Sequence, residues 1–224
     1  MSSRKVMLWD GPTRLFHWSV VLLMGMSWVS IDNTQVERHA LVGQTLLVLA
    51  LYRVLWGFVG GDTARFRHFL RGPGAVLAYL RAVRSGNKPL VLGHNPAGGW
   101  MIVALLLGLL IQGGSGLFTN ENTFLYYDAP LASWVGTALS DALTTFHKSF
   151  FWVLAAGVGV HVGAALTYLV VFKENLIRPM VTGSRDVETA SLPDPSLRPG
   201  SWLKALGCLV LSAGIVEGGV WILG

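Results

Sequence analysis

Five apolar runs, each close to 20 residues long, fix what this chain can become. They lie near Leu15–Asp32, Ala40–Gly60, Gly99–Phe118, Phe150–Phe172 and Trp202–Leu223. Runs of that length match a helix crossing a hydrocarbon core about 30 Å thick. The 224 residues are 52% hydrophobic and only 13% charged, about half the charged share usual in soluble domains. A soluble enzyme, a disordered tail and a disulfide scaffold are thereby excluded. The lone Cys208 removes an internal disulfide, a cysteine-ligated iron–sulfur cluster and a covalently attached haem, which needs C-x-x-C-H. The expected fold is all-α, a polytopic membrane helix bundle. Pro12, Arg14 and His17 crowd the start of the first run and no small-x-small site follows it, so it reads as a retained span.

The connections set the expected orientation. Asp62–Gly98 and Lys173–Ser201 are polar and basic, punctuated by Gly72-Pro73 and Pro193-Asp194-Pro195. Thr119–Phe146 reads instead as an outer loop, with Glu121, Asp128 and Asp141 among aromatics and no Lys or Arg. With the N-terminus inside, fourteen basic residues are cytoplasmic: Arg4, Lys5, Arg14, Arg65, Arg67, Arg71, Arg81, Arg84, Lys88, Lys173, Arg178, Arg185, Arg198 and Lys204. Only Arg38 and Lys148 fall outside, and Arg53 lies within the second run. The positive-inside rule then expects a cytoplasmic N-terminus and, after five spans, a periplasmic C-terminus. The net charge of +5 follows membrane topology, so no nucleic-acid partner is expected. Gly214-x-x-x-Gly218 in the fifth run allows close helix approach, within this bundle or against a partner helix or a second copy.

Six histidines are present. His68 and His94 read as solvated or interfacial residues of the basic segment. His17, His39, His147 and His161 sit in or at the ends of apolar runs, where ionisable groups are expensive and functional. His147 and His161 are 14 residues apart, which is about 21 Å along a helix and about 40° short of four full turns. One helix therefore presents two imidazoles on one face, near opposite sides of the bilayer. Pairing by depth joins His17 with His161 inside and His39 with His147 outside. His161 precedes Phe172 by 11 residues whereas His17 opens its run, so the fourth helix is expected to project beyond the membrane.

Zinc or a di-iron centre would want carboxylates or thiolates nearby, and the interiors of the first four runs supply none. Haem needs only two axial ligands, and imidazole is a common one. Two b-type haems fit: His17 and His161 on the inner iron, His39 and His147 on the outer. Gly43 and Gly157, each four residues from a ligand, lie on its face and would leave room for a flat macrocycle. Arg53, 14 residues after His39, either meets a haem propionate or snorkels to the interface. Arg14 and Lys148 are further propionate candidates. A haem-free transporter using histidine proton relays stays open at this point.

Trp9-Asp10-Gly11-Pro12-Thr13-Arg14-Leu15-Phe16-His17-Trp18 resembles the start of the first helix in the bacterial cytochrome b561 family, which includes the cytochrome b subunits of nickel–iron hydrogenases. His39 with Gly43, then Arg53-x-x-Trp56-Gly57, is similar to its second helix. Gly93-His94-Asn95-Pro96 is similar to a segment of one subgroup. Phe146-His147 with His161, and Asn175-Leu176-Ile177-Arg178-Pro179-Met180 with Gly183, resemble the fourth helix and its exit. The resemblance covers roughly Lys5–Gly183. It implies a four-helix di-haem domain over residues 1–183, followed by a linker and a fifth transmembrane helix over 184–224. It further implies electron transfer in the bacterial inner membrane between a quinone pool and a redox partner. That partner would be a c-type cytochrome, a hydrogenase or a dehydrogenase. A haem enzyme acting on a small substrate, of superoxide oxidase or ferric reductase type, is the alternative.

Overall fold

The computed structural model describes residues 3–86, 91, 93–121, 126–188 and 197–223. Lys88 and Pro193-Asp194-Pro195 lie outside the described residues. In chain order the elements are β1 (Ser3–Met7), α1 (Gly11–Asp32), α2 (Val36–Val59), α3 (Phe66–Phe69), α4 (Pro73–Arg84) and α5 (Pro96–Gly116). They continue with β2 (Asn120–Glu121), β3 (Tyr127–Asp128), α6 (Ala132–Val170), α7 (Ile177–Thr182), β4 (Ser184–Glu188) and α8 (Trp202–Leu223). Helices α1, α2, α5, α6 and α8 are long and apolar enough to cross a membrane, so the expected helical bundle of five spans is found.

Helices α1, α2, α5 and α6 begin before their apolar runs, and α8 coincides with its own. Most of Thr119–Phe146, expected as a loop, belongs to α6, whose 39 residues are interrupted only at Gly136 (φ 71°, ψ 161°). The reason is side-chain pairing on its polar side. Ser140 Oγ donates to the Phe118 carbonyl at 2.7 Å, and Asn120 Nδ2 donates to Asp141 Oδ1 at 2.8 Å. The Thr144 hydroxyl accepts from Asn120 N–H at 3.0 Å. Polar residues with partners of their own continue a helix that a count of apolar residues ends early. The added length lies at the N-terminal end of α6, whereas the projection is expected past His161, where the helix ends at Val170.

The chain divides into two compact units, each combining pieces of several helices. The first holds residues 1–15, 55–104 and 160–205. Here the Trp9–Arg14 motif is a set of fasteners. Asp10 caps α1, accepting from Thr13 N–H at 2.9 Å, and its other oxygen takes Gly200 N–H at 3.1 Å. Trp56, fully buried, donates through Nε1 to Thr13 Oγ1 at 3.2 Å. Gly183 adopts φ 87°, open to glycine at little cost, and its carbonyl accepts from both Leu8 and Trp9 N–H. β4 begins directly after it and pairs antiparallel with β1, from Met7↔Ser184 to Ser3↔Glu188. Val6, Leu8, Trp9 and Val187 form the core under this ribbon. Asn95 Oδ1 caps α5, with Pro96 opening the helix.

Tyr79 of α4 is buried, and its hydroxyl lies 2.5 Å from that of Tyr168. Burial first, then this contact, holds the Tyr79 phenol above its ordinary range.

The second unit holds residues 16–54, 105–159 and 206–224. Ala50 of α2, Leu109 of α5 and Leu154 of α6 pack together with Val20 and Met24 of α1. Leu47 and Val48 meet Val216 of α8. Glycines bring α5 close: a Cβ at Gly108 would stand 3.0 Å from Leu154, and one at Gly113 3.1 Å from Leu47. On α8 a Cβ at Gly214 or Gly218 would meet nothing within 4 Å. The Gly214-x-x-x-Gly218 spacing is therefore not used for packing among the described residues.

Candidate functional site

The second unit contains a cavity of about 310 Å³ between the ends of α1, α2, α5 and α6, lined mainly by apolar side chains. His39, near the start of α2, and His147, in α6, both line it, and their ring centres are 6.2 Å apart with planes at 90°. Gly43 lines the same cavity, and a Cβ there would meet nothing within 4 Å.

Each imidazole is fixed by a carbonyl. His39 Nδ1 lies 2.9 Å from the Ser27 carbonyl and 3.1 Å from the Ser27 hydroxyl. His147 Nδ1 lies 3.0 Å from the Gln112 carbonyl and 3.2 Å from the Ser115 hydroxyl. A carbonyl can only accept, so the proton in both rings is on Nδ1 and the lone pair is on Nε2. The Gln112 carboxamide Nε2, 3.2 Å from His147 Nε2, donates to that lone pair. Gln112 Oε1 is buried with no hydrogen-bond partner among the described residues.

Two neutral imidazoles with lone pairs on Nε2 form a metal-binding arrangement once the Gln112 carboxamide gives up that of His147 and keeps its contact with the His147 carbonyl. About 2 Å of metal–nitrogen bond plus about 1 Å from nitrogen to ring centre on each side gives about 6 Å, close to the separation here. Among the described residues no group of three or more His, Cys, Asp or Glu could hold an ion by itself. A group that brings its own equatorial nitrogens and asks for two axial ones fits this donor set. The space over Gly43 and the largely apolar walls suit a flat, mostly apolar macrocycle.

The other expected residues are placed as follows. His17 lies on α1 in the second unit, edge-on to Trp18 at 5.0 Å, and His161 lies on α6 in the first unit. Arg53 of α2 is 2% exposed, so its side chain is held inside the protein. Arg14 Nη1 donates to the Val181 carbonyl at 2.6 Å. Lys148 pairs with Glu121 at 2.8 Å, and both line the cavity. Gly157 faces α5, where a Cβ would stand 3.3 Å from Leu105, so its small size serves helix packing. His94 is not simply solvated as expected: Trp9 and Phe69 flank its ring, with centres 4.3 and 4.7 Å away. His68 stays on the surface beside Arg67.

Ser27, Gln112, Ser115 and Gly116 were not among the expected residues. A Cβ at Gly116 would stand 3.0 Å from the His147 ring. The signal for three of them is Gln112-Gly-Gly-Ser-Gly116, a small and polar run ending an otherwise apolar helix. Tyr127 closes the cavity beside Glu121, and burial, then the charge of Glu37, raises its phenol.

Residues 8–183 match the prokaryotic cytochrome b561 family. Among curated proteins, the chain is 25% identical over 211 residues to a probable Ni/Fe-hydrogenase B-type cytochrome subunit of Bradyrhizobium diazoefficiens, covering 80% of this chain and 85% of that one. A protein of the same description from Rhizobium leguminosarum bv. viciae is 25% identical over 218 residues, covering 81% and 89%. The probable superoxide oxidase CybB of Yersinia pestis is 24% identical over 181 residues, covering 75% and 93%. No solved structure matches significantly.

Proposed function

The chain belongs to the prokaryotic cytochrome b561 family, and on that premise we propose that it is a di-haem membrane cytochrome moving electrons between a quinone pool and a redox partner protein. The observation that carries this reading is the His39–His147 pair, 6.2 Å apart over one cavity, each ring turned by a backbone carbonyl to offer Nε2. Residues 1–183 are the di-haem domain, and the segment from 184 adds the linker and fifth span. His39 and His147 hold one haem, and His17 with His161 holds the second, a pairing that rests on sequence depth and helix face. His39 and His147 would hold the iron of such a group through Nε2, and the group would supply one-electron redox chemistry. The protein's part is to fix the rings through Ser27 and Gln112, leave space at Gly43, and exclude water with apolar walls. Arg14, Arg53 and Lys148 supply cations for the propionates, Lys148 after exchanging its Glu121 partner.

A hydrogenase is the partner that the two rhizobial relatives favour. A c-type cytochrome or a dehydrogenase is the alternative partner. The open Gly214–Gly218 face of α8 is where a partner helix or a second copy would dock. Purified protein should show a Soret band, contain about two haems per chain, and be reduced by a quinol, given one macrocycle per imidazole pair. Colourless protein would overturn the reading. The similarity to the Yersinia pestis protein favours a second reading, a haem enzyme consuming superoxide. Sustained turnover of superoxide by the purified chain alone would select it.

We assign the protein to the bacterial inner membrane, and the fourteen-to-two distribution of basic residues supports a cytoplasmic N-terminus and a periplasmic C-terminus. A reporter active only in the periplasm should work when fused after Gly224 and fail when fused after Arg198. The reverse pattern would overturn this topology.

A further inference from the structure

The two rings at the cavity are held by the same device, built twice on different helices. In α1, the Ser27 carbonyl accepts from His39 Nδ1 at 2.9 Å and also from the Ser30 hydroxyl at 2.8 Å. In α5, the Gln112 carbonyl accepts from His147 Nδ1 at 3.0 Å and also from the Ser115 hydroxyl at 3.0 Å. Both serines sit three residues after the carbonyl they touch. Ser30 and Ser115 are both buried, Ser30 at 2% exposure, so water does not compete for either hydroxyl.

A carbonyl oxygen has two lone pairs, and a second donor makes it a weaker acceptor for the first. The strength of the N–H···O contact matters because it passes electron density to the ring. A ring that donates strongly from Nδ1 is a more basic ligand at Nε2. A more basic axial ligand favours the ferric over the ferrous state and lowers the reduction potential. A serine hydroxyl on the same carbonyl opposes this.

We propose that Ser30 and Ser115 are positioning residues that hold the reduction potential of the His39–His147 centre up, each by sharing the carbonyl that orients one ring. The proposal rests on the assignment of His39 and His147 as ligands of one haem. Ser30 is the cleaner probe, because its hydroxyl donates to the carbonyl, whereas Ser115 also approaches His147 Nδ1 at 3.2 Å.

The test is a spectroscopic redox titration of the purified holoprotein, following the component that His39→Ala removes. In Ser30→Ala that component should titrate at a more negative potential, with haem content unchanged and the second component unmoved. Ser115→Ala should shift the same component in the same direction. Ser30→Thr keeps a hydroxyl and should titrate with the parent protein. An unmoved or more positive midpoint in Ser30→Ala, or a Ser30→Thr shift as large as that of alanine, would overturn the proposal. If Ser30→Ala lost its haem, the Ser115→Ala midpoint would decide by the same criterion. Failure of His39→Ala to remove any component would instead overturn the underlying ligand assignment, a result distinguishable from a component that is present but unmoved.

Discussion

His39→Ala and His147→Ala proteins should each keep about one haem per chain instead of two, and both should lose the same spectral and redox component, if the two imidazoles hold one haem as proposed. The ring centres lie 6.2 Å apart at one cavity, and among the described residues no group of three or more His, Cys, Asp or Glu could hold an ion there without them. His17→Ala and His161→Ala should lose the other component. His147 and His161 are separated by about 21 Å along α6, beyond the range at which substitutions ordinarily couple. Each single variant should therefore leave the second component at its original potential. His68→Ala and His94→Ala should retain both haems, since His68 rests on Arg67 at the surface and His94 between Trp9 and Phe69. Haem content measured per chain, with difference spectra of the four variants, checks the assignment. A shared phenotype of His39→Ala with His161→Ala, distinct from the other two, would refute pairing by depth.

The pair was legible in the sequence because two simple regularities converge on it. A histidine inside an apolar run is costly, and 14 residues return a helix to nearly the same face. The five spans were legible for a similar reason, since about 20 apolar residues suffice to announce each one. What lay beyond this reading depends on contacts between distant residues. Nothing in the sequence around His39 announces that its Nδ1 will meet the Ser27 carbonyl 12 positions earlier. The extension of α6 back to Ala132 was hidden because Ser140, Asp141 and Thr144 look like loop residues until Phe118 and Asn120 are seen to pair with them. Gly157 illustrates the converse. Its position relative to His161 suited a macrocycle, yet Leu105 occupies the space beside it. Glycine spacing locates a close approach without identifying what approaches.

Gly43→Leu should abolish the His39–His147 component while leaving the chain folded and inserted. Among the described residues a Cβ at Gly43 meets nothing within 4 Å beyond its own turn of helix, so packing does not require a glycine there. The position lines the cavity four residues after His39, on the same face of α2. A leucine side chain would occupy the volume over the rings that the macrocycle needs. It would also bury itself in apolar surroundings, worth about 2 kcal/mol to the haem-free fold. The expected signature is loss of one haem with no loss of membrane yield and no fall in thermal stability of the haem-free protein. Two glycines of α5 separate this mechanism from general disruption. Gly114 also has nothing within 4 Å of its Cβ direction but does not line the cavity, so Gly114→Leu should keep both haems. At Gly116 even one methyl group would stand 3.0 Å from the His147 ring. Gly116→Ala should therefore weaken the same component by displacing a ligand rather than by filling space. Full haem content in Gly43→Leu would mean that the macrocycle does not lie over Gly43, and the cavity between His39 and His147 would then need another occupant.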